Sequence, residues 1–174
     1  MRTFALSAVG ADRPGIIAAL AERLVVHGVN VTDSQMGILR GFFAMTLVVQ
    51  APDGCDADGL RDELSGVASE LGLEALTVRE VDAAGGEGLD VATHVVSVYG
   101  ADHPGILAAV TAGLAGAGVN VCDLRTRLVE GDSVYVMIVD VAAPGGALDE
   151  GVLAAVAERE GVDITVHAAD ADVL

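Results

Sequence analysis

Gly10-Ala11-Asp12-Arg13-Pro14-Gly15-Ile16-Ile17 decides the reading of this chain, because it returns 90 residues later as Gly100-Ala101-Asp102-His103-Pro104-Gly105-Ile106-Leu107. Each copy follows a short apolar run and opens an amphipathic one. Each is closed by the same phrase, Gly28-Val29-Asn30-Val31 in the first and Gly118-Val119-Asn120-Val121 in the second. Residues 3–33 and 93–123 share 16 identities in 31 positions without a gap. Self-similarity at a fixed period marks an internal duplication.

Working outward from the first copy, residues 3–9 form a short, largely apolar strand. Residues 10–13 turn, and Pro14 suits the first helical position, where its missing N–H costs nothing. Ile17, Leu20 and Leu24 recur at i, i+3 and i+7, one buried helix face, and Gly28 stops the helix. Residues 29–39 and 42–50 are strands joined by a hairpin at Arg40-Gly41. After the turn at Pro52-Asp53-Gly54, Leu60, Leu64, Val67 and Leu71 place a helix over 58–71. Gly72 ends it, and residues 73–81 are a fourth strand.

The order β-α-β-β-α-β then repeats. Residues 82–90 form a Gly- and acid-rich linker. Strand is expected at 95–99, 119–128, 134–141 and 162–167, and helix at 104–117 and 148–160. A turn falls at 130–132, with Gly131 in register with Gly41, and the tail from 168 onward frays. The domains are 1–82 and 92–174, joined by a linker over 83–91. The fold class is α+β, two ferredoxin-like units, each an antiparallel sheet with both helices on one face. The other face of such a sheet, or its first-strand edge, needs a partner, and the duplicated chain carries one.

Apolar residues make up 52% of the 174, but aromatics only 3%, so the cores are built from Val, Leu, Ile and Ala. The net charge is −17, and all 9 basic residues are Arg. A surface this acidic repels phosphate backbones, so no direct nucleic-acid binding is expected. No apolar run reaches the roughly 18–20 residues of a membrane span, and no export signal precedes the first strand. A cytoplasmic setting follows, in which Cys55 and Cys122 are reduced thiols rather than a disulfide or zinc site.

The motif has its own chemistry. Backbone N–H groups at Gly15, Ile16 and Ile17 point out of a helix N-terminus, ready for a carboxylate. Gly15 lets a ligand approach the backbone, and Asp12 can accept from an ammonium group. Asn30 begins the next strand at the far end of the helix, so it faces such a loop only across a pair of domains. Amides, a carboxylate and an amide side chain together suit an α-amino acid. Asp12 and Asp102 serve equally well as helix caps, and Asn30 and Asn120 as turn residues in left-handed conformation. His103 replaces Arg13 in the second copy, so the two sites need not be equivalent. No metal, cofactor or catalytic site is expected. His94 and His167 lie on adjoining strands, Ser7 and Ser97 have no Ser-His-Asp setting, and there is no phosphate loop or nucleophile elbow.

D-R-P-G-I-I…G-V-N-V and D-H-P-G-I-L…G-V-N-V, inside β-α-β-β-α-β, resemble the ACT domain, a small regulatory module that commonly binds amino acids. The resemblance covers nearly the whole chain, twice. Two ACT domains and nothing else are similar to the glycine cleavage system transcriptional repressor group. In formyltetrahydrofolate deformylase a similar motif is followed by a catalytic domain, which is not found here. The resemblance implies a non-enzymatic regulator that binds glycine or serine at ACT-domain interfaces, acts through a regulatory protein partner and forms a homo-oligomer. The ligand-binding residues it implies are Asp12, Pro14, Gly15, Ile16 and Asn30 in the first copy, and Asp102, His103, Pro104, Gly105, Ile106 and Asn120 in the second. In the serine-sensing ACT domain of phosphoglycerate dehydrogenase, the position resembling Asp12 is usually Asn. The alternatives are a ligand-free interaction module, or a regulatory subunit of a separately encoded amino-acid or folate enzyme.

Overall fold

The computed structural model describes residues 1–82, 91–129 and 133–169. The linker over 83–90, the turn at 130–132 and the tail over 170–174 lie outside the described residues. The chain divides into two compact units, Met1–Gly85 and Gly86–Leu174.

The first unit runs β1 (Arg2–Ala11), α1 (Ile16–Val26), β2 (Asn30–Leu39), β3 (Phe42–Ala51), α2 (Ala57–Leu71) and β4 (Leu73–Val81). Its sheet has the order β2-β3-β1-β4, all pairs antiparallel. The second runs β5 (His94–Ala101), α3 (Ile106–Gly116), β6 (Asn120–Val129), β7 (Val134–Ala142), α4 (Glu150–Glu160) and β8 (Val162–Ala168), in the order β6-β7-β5-β8. Each unit is a ferredoxin-like split βαβ fold.

Alternation on the central strand makes the core. Phe4, Leu6 and Ala8 of β1 are buried beneath Ile16, Leu20 and Leu24 of α1 and Leu60, Leu64 and Val67 of α2. Val96 and Val98 of β5 take the same role beneath Ile106, Val110 and Leu114 and beneath Leu153 and Val156. Both helices of a unit therefore cover one sheet face, which is what a period of two on the strand and 3.6 on the helix requires.

Three expectations shift. The first strand is not an edge: β1 is hydrogen-bonded to β3 and β4, which leaves β2 and β4 outermost. β2 is exposed along nearly its whole length. Pro14 is not the first helical residue, because α1 begins at Ile16 behind Gly15, whose φ of 96° is left-handed. A residue without Cβ makes that turn cheaply, and the helix can start only after it. Asn30 is not the left-handed residue after α1; Gly28 is, with φ 68°, and Asn30 is already extended.

The hairpins also differ. Arg40 and Gly41 have φ of 51° and 85° and close the pair Leu39↔Phe42, the two-residue turn whose twist matches the strands. In the second unit the closing pair is Val129↔Val134. Ser133, with φ 53°, rather than Gly131, takes the place of Gly41: the Asp102 N–H donates to its carbonyl as the Asp12 N–H donates to that of Gly41. The gapless alignment of the two halves thus ends before the hairpin.

Candidate functional site

The loop between β1 and α1 is held from both ends. Asp12 N–H donates to the Gly41 carbonyl at 2.8 Å, tying the loop to the hairpin turn. Gly15 then reverses the backbone, and Ala19 N–H donates to the Gly15 carbonyl at 3.0 Å to begin the helical ladder. The N–H groups of Ile16, Ile17 and Ala18 precede the first intrahelical donor and face outward, as the opening amides of any helix do. Ile16 is 2% exposed as a whole residue and packs into the core beneath the loop, whereas Ile17 is exposed.

No side chain caps α1 or α3. Asp12 and Asp102 are therefore not helix caps, because left-handed Gly15 and Gly105 occupy the cap positions. The exposed Asp12 carboxylate takes no hydrogen bond or ion pair among the described residues. A cleft of about 350 Å³ opens beside it, lined by the loop, the first turn of α1 and the side chains of Met36 and Phe43. Phe43 is a floor, 1% exposed, and Met36 a wall, 44% exposed. Sequence reasoning missed both. The signal was present in the two-residue turn, which brings β2 and β3 back beside the end of β1.

Asn30 is not in this cleft. It heads β2 opposite Gln50, whereas Met36, at the cleft, lies opposite Met45. Met36 lies six residue steps along the strand from Asn30, roughly 20 Å at 3.3 Å per residue. Asn120 heads β6 opposite Ala142 in the same way.

Position 13/103 points to the second helix of its own unit. Arg13 Nη1 donates to the Glu70 carbonyl at 3.4 Å. His103 Nε2 is 2.8 Å from the Glu160 carbonyl, and its Nδ1 3.2 Å from that of Pro104. Each cation thus meets the carbonyl end of a helix, where the dipole favours positive charge. The Glu160 carbonyl, then that of Pro104, raise the His103 pKa above the ordinary histidine value, and the charges of Glu160 and Asp102 add to this. A cation in the sequence motif therefore ties the loop to a helix end, a role its position alone did not reveal.

The other histidines build no centre. His94 pairs with Ala168, and His167 with Val95, so the two imidazoles leave opposite faces of the sheet. Among the described residues no group of three His, Cys, Asp or Glu side chains is placed to hold a metal ion. Ser7 Oγ lies 3.4 Å from Thr46 Oγ1 on the sheet. No described helix is long and apolar enough to cross a membrane.

The sequence profile of the ACT domain matches residues 2–78 and, a second time, residues 92–167. This chain belongs to the ACT domain family. A crystal structure of an unknown protein from Galdieria sulphuraria is similar over 97% of this chain and 99% of its own, with 30% identity and a TM-score of 0.80. A protein provisionally described as a glycine cleavage system transcriptional repressor shares the fold at a TM-score of 0.68 and 15% identity, over 97% of this chain and 98% of its own. Phosphoserine phosphatase SerB2 of Mycobacterium tuberculosis is 29% identical over 93% of this chain, which spans 40% of that enzyme. The protein MK1213 of Methanopyrus kandleri is 36% identical over 43% of this chain and 84% of its own, the length of one ACT domain. The loop at Asp12–Gly15 is thus the ACT loop of the first domain, and the loop at Asp102–Gly105 that of the second.

Proposed function

We propose that this chain is a non-enzymatic regulatory protein that binds a small amino acid at its ACT loops and acts through a protein partner in the cytoplasm. The observation that carries this is the lining of the N-terminal cleft, which brings together the uncapped first turn of α1 and the unpartnered Asp12. That is the complement of a zwitterion. The amides meet the ligand carboxylate, and Asp12 meets its ammonium group through a charge-assisted bond. Glycine and serine remain the first candidates by family resemblance. Met36 adds an apolar wall, so leucine and methionine belong in the same panel. In this reading Asn30 and Asn120 reach a ligand only from another ACT domain, and a homo-oligomer supplies further interfaces.

Titration calorimetry of the whole chain against the twenty amino acids tests the proposal. Saturable binding of one or a few of them is the expected result. Silence across the panel would leave a ligand-free interaction module.

One observation favours a second reading. SerB2 carries its matched region in the same chain as the rest of a phosphatase. A chain of this kind could then serve as the regulatory subunit of a separately encoded amino-acid or folate enzyme. Co-purification from the native cell, with and without added amino acids, distinguishes an enzyme partner from a transcriptional one.

A further inference from the structure

The two loops differ in what stands against their first helical turn. In the first unit nothing lies within 4 Å of where a side chain on Gly15 would begin. In the second, Glu160 Oε2 is 3.8 Å from the same point on Gly105. The Glu160 side chain is 16% exposed, and Arg159 Nε holds its other oxygen at 2.8 Å.

His103 ties the loop to the same helix end. Its two ring nitrogens lie at 2.8 and 3.2 Å from the carbonyl oxygens of Glu160 and Pro104. A carbonyl only accepts, so both bonds coexist only when both nitrogens carry hydrogen, which is the imidazolium. The charged groups facing the ring are Asp102 from its own loop and Glu160 from α4, and both favour the cation. Arg13 makes the corresponding bond in the first unit at 3.4 Å.

We infer that the two loops are functionally unequal: the C-terminal loop is latched onto the end of α4 by the His103 imidazolium, with the Glu160 carboxylate beside its Gly105, so an amino acid enters the N-terminal loop alone until His103 loses its proton. This rests on the proposed amino-acid binding for what the loops do, while the latch itself needs no ligand. Glu160 sets a carboxylate beside Gly105 of the second loop, whereas nothing stands within 4 Å of the same point on Gly15 of the first.

Two arms test it on the full chain. The first uses nuclear magnetic resonance with no amino acid added. It follows the His103 ring and the exchange protection of the Ala109 and Ala19 amides, which donate to Gly105 and Gly15 at the head of each first helix. The ring should titrate above about 6.5. Ala109 should be protected about tenfold more than Ala19 at pH 6, with the excess gone at pH 9. H103A should remove the excess at both pH values. A ring titrating at or below the ordinary value, or equal protection at pH 6, overturns the latch.

The second arm is calorimetry with L-serine and L-leucine. One equivalent per chain at pH 6 and two at pH 9 support the inference. Two equal sites at pH 6 overturn it and leave amino-acid binding standing. No heat from either, at either pH, counts against the amino-acid reading and with it the claim of unequal entry, while the first arm still decides the latch.

Discussion

Gly10 runs so close to Leu73 that a methyl group on Gly10 would sit 2.8 Å from the Leu73 Cα and 3.1 Å from the Gly72 carbonyl oxygen. The register of β1 against β4 shifts at this point. Gly100 repeats the contact in the second unit, where a methyl group would meet Val162 Cγ1 at 2.6 Å. These glycines let the end of the central strand pass the start of the last one, immediately before each loop. Gly10→Ala is expected to cost about 1–3 kcal/mol, the usual range for overpacking against backbone that cannot move aside. Urea denaturation of the variant measures this. A midpoint equal to that of the parent would show that the strands can separate there without cost.

Asp12 separates ligand binding from capping. Since α1 has no side-chain cap, both Asp12→Asn and Asp12→Ala should leave the melting temperature within about 2–4 °C, as surface changes within ±0.5 kcal/mol do in a domain of this size. Both should weaken amino-acid binding roughly ten- to a hundredfold, the loss of a charge-assisted bond. Calorimetric affinity beside a melting curve reads both quantities. Unchanged affinity in both variants would remove the carboxylate from the site.

The His103 contacts make stability depend on pH in a stated direction. The two carbonyl acceptors raise its pKa in the folded chain above the value of about 6.5 expected when unfolded. Its contribution is then fully present below about 6.5 and is lost as pH rises through the higher folded value. His103→Gln should abolish that part of the slope. The check is melting temperature from pH 5.5 to 9 for both proteins: the parent's advantage should shrink across that window, and a constant difference would contradict the assignment.

A fragment of residues 1–82 keeps the whole first core and the same β2 edge, on which Val31, Met36, Ile38 and Leu39 are exposed in the full chain as well. An uncovered apolar edge recruits another strand. The fragment should therefore self-associate at micromolar concentration in sedimentation velocity. A stable monomer would argue that association is not built into the single domain.

The charge of −17 should prevent direct binding to duplex DNA at physiological salt. A specific gel shift by the purified chain would remove the need for a protein partner in any transcriptional role.

Much of this was legible in the chain itself. Leu20 and Leu24 on α1, Leu60 and Leu64 on α2, and the alternation of Phe4, Leu6 and Ala8 announce their elements, because periodicity is a local property of one segment. Arg40-Gly41 announces its hairpin for the same reason. The duplication then gives two units from one pattern. Tertiary structure alone decided the rest. Which strand is an edge depends on pairing between distant segments, so β1 proved central. That Asp12 is not a cap follows from the left-handed turn at Gly15. Met36 and Phe43 reach the loop only through the register of β2 and β3, and His103 reaches Glu160 only because α4 ends beside the loop, 57 residues further along the chain. Local patterns determine which elements form; which side chains meet around the loop is set by contacts between segments far apart in sequence, and no short stretch encodes them.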